Sequence, residues 1–136
     1  MEVTGEVLFA GTACGPLLKL AAPISFWGGV DPDTGTIIDV RHPDHGRSIT
    51  GTILGLPGTI GSSSSSSVLL ELIYKAKAPA ALLLTDPDAI LLIGLLISHE
   101  MGWAGLPALR LLTVNFASLP QGIYCLSRDG RLTLET

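Results

Sequence analysis

Short apolar runs separated by breaks rich in glycine, proline and serine set the rhythm of this chain. Glu6-Val7-Leu8-Phe9-Ala10 and Leu17-Leu18-Lys19-Leu20 read as short strands. From Pro23 to Arg47 no period holds; turn signals stand at Asp31-Pro32 and Thr34-Gly35, and a connection that long in a small domain is usually functional or mobile. Ser48 to Leu56 carries β-branched residues in partial alternation and predicts a strand. Beyond it, Val68, Leu69, Leu72, Ile73 and Ala76 fall on one face of a helix. Ala80 to Leu84 is a short apolar run, the mark of a buried strand. Asp86-Pro87-Asp88 then offers a cap, a first-turn proline and an acid for the positive end of a helix, which runs to about Met101 and stops at Gly102. Pro107 to Val114 predicts another strand, and residues 115–136 one or two more around Asp129-Gly130. The second half thus reads strand–helix–strand–helix–strand, a mixed α/β domain.

Composition changes one part of this picture. Apolar residues make up 47% of the 136 and charged residues only 15%, against about a quarter charged in an ordinary soluble domain. The length suits one domain with a real core, yet a domain this apolar cannot hide everything inside itself, so a membrane or a partner chain should cover the remainder. The longest apolar run, Ala89 to Ile97, falls well short of the roughly 18 residues that span a bilayer. The start, Met1 to Glu6, carries two acids and no basic segment, unlike a secretory signal. A protein partner and a cytoplasmic location are therefore expected. The helix over Ala89 to Ile97 is apolar nearly all round, which predicts burial on more than one side. A net charge of −4 without any run of Lys or Arg speaks against nucleic acid.

Most of the reactive side chains have plain readings. Cys14 and Cys125 make no CxxC pair and no disulfide framework, and two cysteines are too few for an iron–sulfur cluster. Asp31 to Gly35 fails as a calcium loop: the glycine comes early and position twelve is His42. His42, Asp44 and His45 lack a third histidine or cysteine nearby and read as solvent-exposed turn residues. Arg41 and Arg47 are planar donors suited to a carboxylate, with surface charge the plainer reading. Trp27 reads as an interface anchor, and His99 and Glu100 as surface residues at a helix end.

The six serines Ser62 to Ser67 have the composition of a flexible linker. Their place between a predicted strand and the first turn of an amphipathic helix argues against that. Two readings stand: a simple serine N-cap, or an anion cradle. For the second, the glycines of Pro57-Gly58-Thr59-Ile60-Gly61 would let the backbone approach a ligand while the helix start supplies N–H donors. The Gly-Lys-Ser/Thr ending of a phosphate-binding P-loop is absent.

Three motifs in order, Ser25-Phe26-Trp27-Gly28-Gly29-Val30-Asp31, Arg41-His42-Pro43-Asp44-His45-Gly46 and Gly61-Ser62-Ser63-Ser64-Ser65-Ser66, resemble the small swivelling domain of the aconitase X family over nearly the whole chain. The resemblance implies a single compact α/β swivel domain over 1–136, with a barrel-like β core flanked by helices. It implies one half of a hydro-lyase, active only with a large aconitase-like subunit that carries an iron–sulfur cluster. It assigns the proton acceptor to the serine after Gly61, Ser62, with Ser63 the neighbouring alternative, and makes Gly61, Ser63 and Ser64 substrate-binding. The polyserine form resembles the bacterial branch that dehydrates cis-3-hydroxy-L-proline. The archaeal branch, acting on phosphorylated mevalonate, has a Gly-Ser-Thr-type loop and is the alternative within the class. Outside the class, the alternative is a non-catalytic binding or regulatory module that keeps the fold. No metal or cofactor is expected on this chain itself, and the expected ligand is a small molecule carrying a carboxylate.

Overall fold

A computed structural model describes residues 1–135. In chain order the elements are β1 (Glu2–Thr4), β2 (Glu6–Phe9), β3 (Ala13–Lys19), a single irregular turn α1 (Phe26–Gly29), β4 (Val30–Asp31), β5 (Thr36–Ile37), β6 (Ile53–Leu56), α2 (Ser65–Tyr74), β7 (Ala81–Leu84), α3 (Ala89–Glu100), β8 (Ala108–Arg110), α4 (Thr113–Ser118), β9 (Ile123–Leu126) and β10 (Arg131–Leu134).

Eight strands form one mixed sheet in the order β1-β10-β9-β3-β6-β7-β8-β2. Strands β3, β6, β7 and β8 run parallel, joined from β6 onward by α2 and α3 as crossover helices. The β9–β10 hairpin is an antiparallel wing. Two N-terminal segments attach it. The first half of β3 pairs with β9 and its second half with β6. Likewise β1 pairs with β10 while β2, one residue further on, pairs with β8. Because the two edge strands are consecutive stretches of chain, the sheet curls back on itself as a barrel-like core. Gly5 sits at this closure, donating its N–H to Gly130 O at 2.9 Å, where a Cβ would lie 2.5 Å from the Arg110 carbonyl oxygen.

Adjacent strand residues point to opposite faces, and the core divides accordingly. Leu18, Leu54, Leu82 and Leu84 face α2 and α3, meeting Leu69, Leu72, Leu91 and Leu95. Leu17, Ile53, Leu83 and Leu109 face the barrel interior with Tyr124, Leu126 and Leu132, and Phe116 of α4 packs there too.

The expected α/β domain with a barrel-like core flanked by helices is what the chain forms, with local corrections. Of Ser48–Leu56 only the last four residues are strand, because Gly51 takes a positive φ of 71° and turns the chain before it. Helix α2 ends at Tyr74, and Ala76, expected on its buried face, is exposed at a φ of 56°. The N-cap of α3 is Asp88 rather than Asp86, so Pro87 lies before the helix and not in its first turn. Of Pro107–Val114 only Ala108–Arg110 pair as strand; Thr113 onward is helical, seating Phe116 in the barrel. Cys14 and Cys125, which in sequence offered no framework, face each other across β3 and β9 with Cα atoms 4.1 Å apart and are disulfide-bonded. Helix α3 buries Leu91, Gly94, Leu95 and Ser98 but leaves Ile93, Leu96 and Ile97 exposed, so only one side is covered within the chain. Among the described residues no helix is long and apolar enough to cross a membrane.

Candidate active site

All four parallel strands present their carboxyl ends at one edge, the edge where α/β sheets bind ligands. Lys19 ends β3 and Leu20 follows it, Pro57 follows β6, Thr85 follows β7, and Arg110 ends β8. A pocket of about 500 Å³ opens there, lined by Lys19, Leu20, Ala21, Pro57, Thr85, Thr113, Phe116 and Ala117. The Lys19 ammonium is held by the carbonyls of Phe116, Ala117 and Leu119 at 3.4, 3.1 and 3.1 Å, anchoring the end of α4 at the pocket wall. A smaller pocket of about 220 Å³, between residues 9–12 and the end of α3, lies at the opposite edge and holds His99 alone of the predicted candidates.

The three sequence motifs converge just past the end of β3. Ile24 bridges Thr59 in parallel, and Ile24 O accepts the Ile60 N–H at 3.1 Å, which sets the Ser25–Asp31 segment beside the loop that leads into the serines. Asp44 Oδ2 accepts the Ala21 N–H at 2.9 Å. His42 Nε2 donates to Ala22 O at 2.9 Å while its Nδ1 accepts the Asp44 N–H at 3.0 Å. Those bonds correct the expectation for His42: it is a buried docking residue, 7% exposed. His45, Arg41, Arg47 and Trp27 are exposed. Among the described residues the Arg47 guanidinium pairs only with Asp44, at 3.6 Å, and Ser25 Oγ donates to Trp27 O at 3.0 Å.

The glycine–serine segment divides by burial and role. Gly61 and Ser63 are exposed, Ser62 and Ser64 half-buried, and Ser65, the first helical residue, is buried. Ser62 precedes α2 by three positions. Its Oγ accepts the Ser64 N–H at 3.3 Å and its carbonyl the Ser65 N–H at 3.1 Å. Ser64 is the N-cap, but its side chain makes no capping bond, so the plain serine-cap reading is not what the tract does. The N–H groups of Ser66 and Ser67 have no acceptor among the described residues, as expected for the first turn of a helix. A Cβ on Gly61 would meet nothing within 4 Å, so this glycine is not demanded by crowding within the chain. The arrangement can present a hydroxyl and free N–H donors to an anion at a partly positive helix end.

The sequence missed three polar residues at this edge. Thr85 Oγ1 donates to Pro57 O at 3.0 Å, Thr59 Oγ1 donates to Asp88 Oδ2 at 2.6 Å, and Arg110 Nε donates to Thr85 O at 3.3 Å. The signal for them was the parallel strand order, which no local pattern carries.

With this geometry in view, comparison with known proteins fixes the class. The chain matches the aconitase X swivel domain family over residues 2–135 and belongs to it. It is 43% identical over 132 residues to the cis-3-hydroxy-L-proline dehydratase of Pseudomonas aeruginosa, covering 97% of this chain and 23% of that one. It is 42% identical over 98 residues to the phosphomevalonate dehydratase small subunit of Methanothermobacter thermautotrophicus, covering 72% of this chain and 75% of that one. Its fold overlays aconitase X of Thermococcus kodakaraensis in the holo-form with a TM-score of 0.87 at 29% identity, covering 100% and 99% of the two chains. The chain spans under a quarter of the length of the two hydroxyproline dehydratases it matches, 23% and 22%.

Aconitase-like chemistry suggests an iron–sulfur cluster, and the residues of this chain do not fit one. Its two cysteines are bonded to each other near the start of β3, the end away from the serines. No three His, Cys, Asp or Glu side chains converge among the described residues.

Proposed function

We propose that this chain is the small subunit of a two-chain hydro-lyase that dehydrates cis-3-hydroxy-L-proline, and that Ser62 is the base. The observation that carries the reading is the placement of Gly61–Ser67, in a member of the aconitase X family, running from the loop after the carboxyl end of β6 into the first turn of α2. Dehydration of a β-hydroxy acid breaks a C–H bond next to the carboxylate, forms a carbon–carbon double bond and expels hydroxide. Ser62 takes the carbon-bound proton. A serine hydroxyl is a weak base in water and must act as alkoxide, which a helix start and a dry site favour. Gly61, Ser63 and Ser64 bind the substrate carboxylate, whose developing enolate charge the free N–H groups at the start of α2 stabilise. The iron–sulfur cluster belongs to the large subunit, which closes over this edge and excludes water. Exposed Trp27, Ile60, Leu112 and Val114 support a protein partner.

Phosphorylated mevalonate is the second substrate to test, because the archaeal small subunit is 42% identical over 98 residues, against 43% over 132 for the hydroxyproline enzyme. The chain alone should be inert on both compounds and gain dehydratase activity with its cognate large subunit. In that complex Ser62→Ala should lower kcat by about a thousandfold or more while the complex still assembles. Loss in Ser63→Ala but not Ser62→Ala would move the base by one residue. Full activity in both variants would remove the serine-base assignment, whereas no activity with either substrate in the wild-type complex would overturn the lyase reading and leave the fold to a binding module.

A further inference from the structure

The segment Pro57 to Ser64 has the composition of a flexible linker, and a base must be held within about half an ångström of its working position. Something outside the segment has to hold it. Thr85 fixes Pro57 O and Ile24 fixes the Ile60 N–H, but both are bonds to main chain. Among the described residues, the one bond from another element that holds a side chain of the loop is that between Thr59 and Asp88.

Asp88 is the N-cap of α3, and its Oδ1 alone performs that task, accepting from Ile90 N at 2.9 Å and Leu91 N at 3.2 Å. Its Oδ2 is left for the Thr59 hydroxyl at 2.6 Å, the short separation of a charge-assisted bond. No Lys, Arg or His lies within ion-pair distance of Asp88 among the described residues, so ion pairing does not account for the carboxylate. Helix α3 also meets the helix that follows this segment, about one and a half turns along. Gly94 packs against the first turn of α2, where a Cβ would lie 3.2 Å from Ser66 O and 3.3 Å from Ser66 Cα. Helix α3 therefore holds the loop before the serines at one point and the helix after them at another.

We propose that Asp88 and Thr59 are positioning residues: their hydrogen bond fixes the loop that carries Ser62, so that the hydroxyl meets the substrate in a reactive geometry. The inference rests on the reading of Ser62 as the base. Neither residue touches substrate in this scheme. Misplacing a base by about an ångström lowers a rate on the order of a hundredfold, and the bond at Thr59 is three residues from Ser62.

The test is Thr59→Val, which keeps the shape and removes the hydroxyl, paired with Thr59→Ser, which keeps the hydroxyl. In the assembled complex, with cis-3-hydroxy-L-proline as substrate, Thr59→Val should lower kcat by about ten- to a hundredfold with KM changed little. Thr59→Ser should restore kcat. In the full small chain alone, amide hydrogen exchange of Ile60, Ser64 and Ser65 should speed up by about tenfold or more in Thr59→Val and stay near wild type in Thr59→Ser. Unchanged exchange in Thr59→Val, or a Thr59→Ser variant as impaired as Thr59→Val, would overturn the proposal. Ser62→Ala run alongside separates the two readings: an active Ser62→Ala complex removes the base assignment, while the exchange arm still decides the tether.

Discussion

The parallel half of the sheet and the antiparallel wing are built from the same kind of residue yet are held in different ways. In the parallel half, β6 and β7 are buried at every position, because helices cover one face and the barrel interior the other. Such strands need crossover connections, and each crossover leaves a loop at the carboxyl edge. Every motif of the aconitase X resemblance ends up in or against those loops. In the wing, β9 alternates between buried and accessible residues, β10 buries only Leu132 fully, and the two are joined by a tight hairpin. The wing carries none of the candidate catalytic residues. What it carries instead is attachment: a disulfide where β3 meets β9, and a close backbone approach at Gly5 where β1 runs into β2. The contrast teaches that connection topology places the chemistry, while the two N-terminal segments that cross from wing to parallel half carry the closure. Perturbing the seams should therefore change stability without changing turnover, the reverse of Ser62→Ala.

The largest effect is expected from the disulfide. Cys14 and Cys125 are 111 residues apart in sequence, and closing a loop of that length stabilises the folded state by about 4–5 kcal/mol in the chain-entropy account. Cys14 is exposed and Cys125 half-buried, so reductant can reach the pair. The Ala13–Pro16 ladder with β9 does not depend on the sulfur bond, and the fold should persist as the dithiol, the form favoured in a reducing cytoplasm. Denaturant unfolding with and without dithiothreitol, and of the Cys14→Ser, Cys125→Ser double variant, should show a lower midpoint after reduction and in the double variant. The kcat of the complex should stay the same. A large loss of activity on reduction, with the complex still assembled, would break the separation between wing and site.

The second seam should respond next. Gly5→Ala places a methyl 2.5 Å from a backbone oxygen and 2.7 Å from Leu109 Cγ, a clash that backbone must absorb, at about 3 kcal/mol. Circular dichroism melts should show a single, lower transition. Wild-type stability would mean that the barrel closure is looser than the register of β1 and β2 implies.

How much of this was written locally in the sequence follows from the range of each interaction. The face of α2 was legible because Val68, Leu69, Leu72 and Ile73 repeat at helical spacing, and all four are buried. The stop of α3 was legible in Gly102, whose φ is 72°. Helix α4 was not, because Leu111, Leu112 and Val114 continue an apolar strand pattern, and the reason the chain turns is distant: Phe116 fits the barrel and Lys19, 97 residues away, binds the Phe116 carbonyl. His42 was misjudged for the same reason, since its partner at Ala22 is far away in sequence. The serine tract could be recognised by its motif, but the hold of Asp88 on Thr59 spans 29 residues and belongs to tertiary structure alone.

The smallest expected effect lies at the tip of the wing and sharpens the comparison by its pH dependence. Asp129 is drawn below the ordinary aspartate value, first by the Ser127 hydroxyl that donates to it and next by the Arg131 guanidinium, whose Nε lies 3.0 and 3.2 Å from its two oxygens. A carboxylate whose folded pKa is depressed adds stability that is fully present above its unfolded value and lost as pH falls through the folded one. The window therefore lies below the ordinary value of 3.8. The group is solvent-exposed, so screening keeps the contribution small. Asp129→Asn should melt slightly below wild type at about pH 6, and the difference should close by about pH 2 and shrink in high salt. A gap that persists in acid would assign the residue to turn geometry rather than charge. A change in kcat at neutral pH would couple the hairpin tip to the carboxyl edge, which the division between wing and parallel half forbids.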